Sequence, residues 1–66
     1  MNNKIRVARA EVRMTQLQLA EAVDVSRQTI NAIESGKFVP STVLALKIAR
    51  TFGKSVEEIF SLEDND

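Results

Sequence analysis

The chain has 66 residues and no formal net charge, because nine lysine and arginine residues balance nine aspartate and glutamate residues, and it lacks cysteine and histidine. A chain of this length forms one domain that buries only about 60% of its unfolded surface, and the missing residue types exclude disulfides and the usual zinc ligands. With no apolar run of roughly 18 residues and no signal peptide, we expect a cytoplasmic protein without metal, cofactor or membrane partner.

The first predicted helix begins at a cap provided by Asn2 or Asn3 and runs to about Val12. Its core stripe is formed by Ile5, Ala8 and Val12, which repeat at intervals of three and four residues.

Two short helices follow, separated by a tight turn at Asp24 and Val25. Thr15 and Ser26 are side chains of the type that cap helix N-termini, and Gly36 is a left-handed stop for the second of the two helices. The predicted inner faces carry apolar residues at helical spacing: Leu19, Ala20, Val23, Ile30 and Ile33.

The last two predicted helices begin at Ser41 and at the capping-box sequence 55–58, and Gly53 ends the first of them. The helix after Ser41 is apolar almost all round, which predicts a central position, and Phe38 before it is interpreted as a core anchor. We expect a domain over residues 1–62 and an acidic disordered tail over residues 63–66.

The outer face of the helix over residues 27–35 is the most informative feature. Gln28 and Asn31 point away from the Ile30 and Ile33 side, with Arg27 at one flank near the N-terminal end of that helix. Arginine pairs with guanine edges, and glutamine or asparagine with adenine edges, in the major groove of DNA. We therefore predict that Arg27 and Gln28 contact bases, with Asn31 as a secondary candidate; the alternative is a polar face exposed only to water.

Residues 15–36 resemble the helix-turn-helix of the phage-repressor and Cro family, also called the xenobiotic-response-element type. The similarity includes Thr15-Gln16, Leu19-Ala20, Val25-Ser26-Arg27-Gln28-Thr29-Ile30 and Ile33-Glu34-Ser35-Gly36-Lys37, and it continues through Pro40-Ser41, residues 44–49, Phe52 and Ile59-Phe60. The resemblance covers nearly the whole chain. It implies an all-α, five-helix lambda-repressor-like domain, with short extended segments at the chain ends, in which residues 27–35 are the recognition helix.

The family resemblance also implies a structural ion pair between Arg9 and Glu34, and the alternative is that both are solvated surface charges. Two positions depart from the family pattern, because Arg13 and Asp24 stand where the family often has glycine in a left-handed turn.

Phosphate contacts are expected from residues that flank the two motif helices. Gln16 begins the first of them, so its backbone amide and side chain can meet a phosphate at a helix N-terminus, and Ser26 and Lys37 flank the recognition helix. The distribution of charge along the chain also favours phosphate binding. Residues 4–54 carry a net +5 and residues 55–66 a net −5, which suits a polyanion-binding face. Ordinary dispersion of surface charge is the alternative.

One helix-turn-helix covers a single half-site, so we expect a homodimer on a two-fold operator. The candidate interface is Ile59, Phe60 and Leu62, and the alternative is that Phe60 and Leu62 complete the monomer core. The sequence thus predicts a transcriptional regulator of double-stranded DNA, most simply a repressor, and no enzyme. The rival interpretation is an antitoxin or another protein-interaction subunit of a small regulatory system.

Overall fold

The structure is a computed structural model that describes residues 1–66. It contains five helices and a two-stranded sheet, which confirms the predicted all-α, five-helix architecture with short extended segments at the chain ends. The elements are β1 (Asn2–Asn3), α1 (Ile5–Val12), α2 (Gln16–Val23), α3 (Arg27–Glu34), α4 (Thr42–Thr51), α5 (Val56–Ile59) and β2 (Phe60–Ser61). The longest helix has ten residues, and none is long and apolar enough to cross a membrane.

Hydroxyl side chains begin four of the five helices, as predicted. Thr15, Ser26, Ser41 and Ser55 each accept a hydrogen bond from the backbone N–H three residues later, at 3.0–3.3 Å. These bonds satisfy amide groups that have no partner within the helix. At α1 the cap differs from the prediction, because Lys4 occupies the cap position without a side-chain bond and Asn3 accepts from the N–H of Ile5 at 3.2 Å.

Left-handed residues end α1 and α2. Arg13 has φ 54° and Asp24 has φ 61°, in the places where the family often has glycine. This conformation costs a residue with a Cβ roughly 1–2 kcal/mol, and aspartate tolerates it better than most. Arg13 therefore keeps backbone strain that a glycine would not have.

The core contains twelve buried apolar residues from all five helices and β2: Ile5, Ala8, Leu19, Ala20, Val23, Ile30, Ile33, Ala45, Ile48, Ala49, Ile59 and Phe60. Val12 is not among them, because it stands in the last turn of α1 where the chain reverses, and it is 55% exposed. The prediction for Phe38 was also wrong, since its loop leaves the ring 49% exposed. Helix α4 is not surrounded by protein, because Val43 and Leu46 face solvent while Ala45, Ile48 and Ala49 face the core.

The two ends of the chain meet in the small sheet. Strands β1 and β2 are antiparallel, with Asn2 opposite Ser61 and Asn3 opposite Phe60, and the N–H of Lys4 donates to the carbonyl of Ile59 at 2.7 Å. The side-chain amide of Asn3 also donates to the carbonyl of Ile33 at 2.9 Å, so the N-terminal strand is tied to the end of α3.

The last four residues, for which the sequence predicts disorder, form a turn. The N–H of Asp66 donates to the carbonyl of Glu63 at 3.0 Å. The Met1 ammonium lies 3.1 Å from one carboxylate oxygen of Asp66 and 3.5 Å from Glu63. The hydrogen bond to Asp66 is the largest influence on the Met1 amine and raises its pKa. The acidic end of the chain thus lies against its own N-terminus.

Candidate nucleic-acid interface

Helix α3 is fixed by its inner side and presents its outer side to solvent. Ile30 and Ile33 are at most 1% exposed, and α3 packs against α2. Because residues on a helix turn by 100° per position, Gln28 and Asn31 point away from this inner side and Arg27 stands at its flank, and all three residues are exposed. These are the three residues for which the sequence predicts base contacts.

The three predicted phosphate contacts lie around the same surface. Gln16 is the first residue of α2 and is half-buried, and the N–H groups at a helix N-terminus are suitable donors for an anion. Ser26 is exposed, but its hydroxyl accepts from the N–H of Thr29 and lies 3.0 Å from the Thr29 hydroxyl. Lys37 follows Gly36, is exposed and belongs to no ion pair.

Arg9 and Glu34 connect α1 to the end of the recognition helix. Arg9 Nε donates to Glu34 Oε2 at 2.7 Å, and Arg9 Nη2 donates to Glu34 Oε1 at 3.1 Å. Arg9 Nη1 donates to the carbonyl of Met14 at 2.9 Å. The Glu34 side chain is only 1% exposed and that of Arg9 is 16% exposed, so this two-point pair is largely removed from water.

The pKa of Glu34 is lowered from its ordinary value of 4.5, although burial, the largest single influence, acts to raise it. Hydrogen bonds from Arg9 and Gln16, together with the positive charges of Arg9 and Arg6, outweigh the burial. Arg6 contributes from the surface, with Nε 3.6 Å from Glu34 Oε1. Glu34 is therefore ionised at neutral pH and acts as a hydrogen-bond acceptor only.

Gln16 extends this pair to the outer face of α3. Its Nε2 donates to Glu34 Oε1 and to Asn31 Oδ1, each at 3.2 Å, and its Oε1 accepts from Arg27 Nη1 at 3.4 Å. The sequence reasoning missed this chain of bonds. Spacing along one helix cannot reveal it, because the bonds join residues of α2 to residues of α3. The available signal was Gln16 at the start of a helix that must cross the recognition helix.

The predicted dimer residues fall into two groups. Ile59 and Phe60 are 2% and 5% exposed and complete the core of their own chain, whereas Leu62 is 77% exposed. Any contact between two copies at this end must therefore use Leu62 and the surface around it. The chain brings together no group of three or more side chains that could hold a metal ion.

Comparison with known proteins identifies the same motif. A family model described as "Helix-turn-helix" matches residues 5–59. An uncharacterized HTH-type transcriptional regulator of Methanocaldococcus jannaschii is 52% identical over 66 residues, which is the full length of both chains. The HTH-type transcriptional activator BcrR of Enterococcus faecalis is 36% identical over 63 residues, which cover 96% of this chain and 31% of BcrR.

Among solved structures, the clp gene regulator ClgR from Corynebacterium glutamicum superposes with a TM-score of 0.77 at 31% identity. The match covers 82% of this chain and 57% of that of ClgR. The fold is thus shared with a helix-turn-helix regulator.

Proposed function

The chain belongs to the helix-turn-helix family of the phage-repressor and Cro type, whose members are DNA-binding regulators of transcription, and we propose that it acts as a sequence-specific repressor. In this proposal it works in the cytoplasm and binds double-stranded DNA as a homodimer on a two-fold operator. Helix α3 enters the major groove. As a regulator it is not an enzyme.

One observation carries the proposal: the exposed face of α3 bears three side chains that can read base edges, while its other face is fixed in the core. Arg27, Gln28 and Asn31 are exposed near the helix N-terminus, and Ile30 and Ile33 anchor the helix in the core. A rigid helix with guanidinium and amide groups at its exposed N-terminal end is the arrangement by which helix-turn-helix proteins read the major groove. In the proposal Gln16, Ser26 and Lys37 contact the flanking phosphates.

The size of the reading surface supports the proposal of a homodimer. One recognition helix covers a few base pairs, and two of them about 34 Å apart cover successive major grooves on one side of the duplex. Leu62, which is 77% exposed beside the small sheet, is the proposed centre of the contact between copies.

Repression is the simplest outcome for a bound domain that covers a promoter. The relative BcrR is named as an activator, so the direction of regulation has to be measured. A reporter gene placed behind the selected operator should give less transcript when the protein is present. More transcript would replace repression by activation and leave DNA binding intact.

The test of base recognition is Arg27→Ala, with Arg50→Ala as the matched control. Arg50 is also exposed but lies in the last turn of α4. Arg27→Ala should weaken binding to the selected operator by about 1–3 kcal/mol and binding to random DNA much less. Equal losses on both DNAs would show that Arg27 contacts only phosphate. Specific DNA binding through several phosphates weakens steeply as salt rises. Binding to DNA without that dependence would count against this function and favour the protein-interaction role.

A further inference from the structure

The buried carboxylate of Glu34 fixes which way the Gln16 side chain is turned. An ionised carboxylate only accepts hydrogen bonds, so the atom of Gln16 that faces Glu34 Oε1 at 3.2 Å must be the NH2 group. The Gln16 carbonyl oxygen then faces the other way, toward Arg27 Nη1 at 3.4 Å, and a guanidinium only donates. The two neighbours therefore require the same orientation of this amide.

The orientation of the Gln16 amide also determines which way the Asn31 amide is turned. The Gln16 NH2 group donates to Asn31 Oδ1 at 3.2 Å, and a reversed Asn31 would set two NH2 groups against each other. The Asn31 oxygen is thus turned toward α2. Its own NH2 group, which has no partner within the protein, is left at the exposed surface of α3.

This geometry bears on which base Asn31 can recognise. Asparagine reads adenine with both ends of its amide, because the oxygen accepts from N6 while the nitrogen donates to N7. An asparagine whose oxygen is turned toward Gln16 presents its NH2 group, a donor, as the end of the amide that faces away from α2. Guanine, with acceptors at N7 and O6, and thymine, with an acceptor at O4, match such a group in the major groove. Gln28 makes no side-chain hydrogen bond within the protein, so both ends of its amide can read adenine.

We propose that Gln16 is a specificity-determining residue that acts by positioning Asn31, so that Asn31 selects guanine or thymine and rejects adenine. This proposal rests on the proposed function, since it describes how the same α3 surface reads DNA. The ionised Glu34 of the Arg9–Glu34 pair fixes the orientation of the Gln16 amide, and Gln16 in turn fixes that of Asn31. Gln16 also holds the Arg27 guanidinium beside Asn31.

The test is selection of binding sites from a randomised duplex library, followed by sequencing. The library is presented to the parent, to Gln16→Met and to Asn31→Ala. The position at which Asn31→Ala loses its preference is the one that Asn31 reads. Gln16→Met keeps the length of the side chain but makes none of the three hydrogen bonds. A melting curve checks that the variant is folded.

The parent should prefer guanine or thymine over adenine at the Asn31 position by about five- to tenfold, and Gln16→Met should lose that preference or turn it to adenine. Preference at the position read by Gln28 should not change, which makes Gln28 the internal control. If Gln16 served only as a phosphate contact, affinity would fall for all sequences alike and the base preference would stay; that result overturns the proposal.

A second arm uses the parent protein alone. If the base selected at the Asn31 position is guanine, its replacement by 7-deazaguanine removes the N7 acceptor and should weaken binding about fivefold. If the selected base is thymine, its replacement by adenine should weaken binding by a similar factor. Selection of adenine by the parent at this position overturns the role of Gln16 but leaves DNA recognition standing. Recovery of no preferred sequence at all overturns sequence-specific binding itself.

Discussion

The substitution Glu34→Gln tests the connection between α1 and the recognition helix. The carboxylate accepts from three donors: Arg9 Nε at Oε2, and Arg9 Nη2 and Gln16 Nε2 at Oε1. A glutamine has one oxygen, so at least one of these donors meets an NH2 group. The Arg9 guanidinium, 16% exposed, also loses its counter-ion.

The expected cost is about 1–3 kcal/mol in the free energy of unfolding. One lost hydrogen bond to a charged group accounts for about 1.5–3 kcal/mol. The larger penalty of about 3–5 kcal/mol for an unpaired buried charge is not reached, because Arg9 keeps some water and the Met14 carbonyl. In a domain of this size, each 1 kcal/mol lowers the melting temperature by about 4–8 °C.

Thermal melting followed by circular dichroism at neutral pH measures the effect. Glu21→Gln is the matched control, because Glu21 is exposed on α2 and belongs to no ion pair, so its change should stay within about 0.5 kcal/mol. A Glu34→Gln variant that melts with the parent would refute the reasoning.

The effect should also depend on pH. Since the folded-state pKa of Glu34 lies below the ordinary value of 4.5, its stabilisation is present above that value and is lost as the pH falls toward the folded-state pKa. The stability difference between parent and Glu34→Gln should therefore shrink in acid. Other carboxylates, including Glu58 and Asp66 with lowered pKa values, are the same in both proteins and cancel.

Three further substitutions test the DNA surface, the backbone and the dimer. Lys37→Ala should flatten the plot of log affinity against log salt by about one unit on specific and random DNA alike, and an unchanged slope would remove Lys37 from the phosphate contacts. Arg13→Gly should stabilise the fold by about 0.5–1 kcal/mol in urea titration, because glycine adopts φ 54° without strain although it costs more entropy on folding; no gain would mean that Arg13 makes compensating contacts. Leu62→Asp should prevent self-association in sedimentation at micromolar concentration, and a variant that dimerises like the parent would exclude this surface.

Local chemistry made much of the fold predictable from the sequence. The helix starts at Thr15, Ser26, Ser41 and Ser55 follow from hydroxyl groups that accept backbone amides, and the left-handed stop at Gly36, with φ 79°, follows from the missing Cβ. The outward direction of the α3 side chains follows from the 100° turn per residue.

Side-chain environment was less predictable, because it depends on what lies across from a residue. Apolar character alone placed Phe38 in the core, but its ring is 49% exposed. It also left two interpretations of Phe60, a dimer contact or part of the monomer core, and the residue is buried in the core at 5% exposure. The bonds of Gln16 to Asn31 and Glu34 depend on the distance between two crossing helices, which no periodicity in either helix records.

The small sheet also determines how the molecule responds to tension. Strands β1 and β2 are antiparallel and pair residues 2–3 with 60–61, so the chain leaves the sheet at adjacent points. A force that separates the two ends pulls across the strands and loads their hydrogen bonds one after another rather than together. Met1 and its carboxylate partners should separate first, then the sheet, then α1, while α2 and α3 are not directly loaded until these contacts have broken.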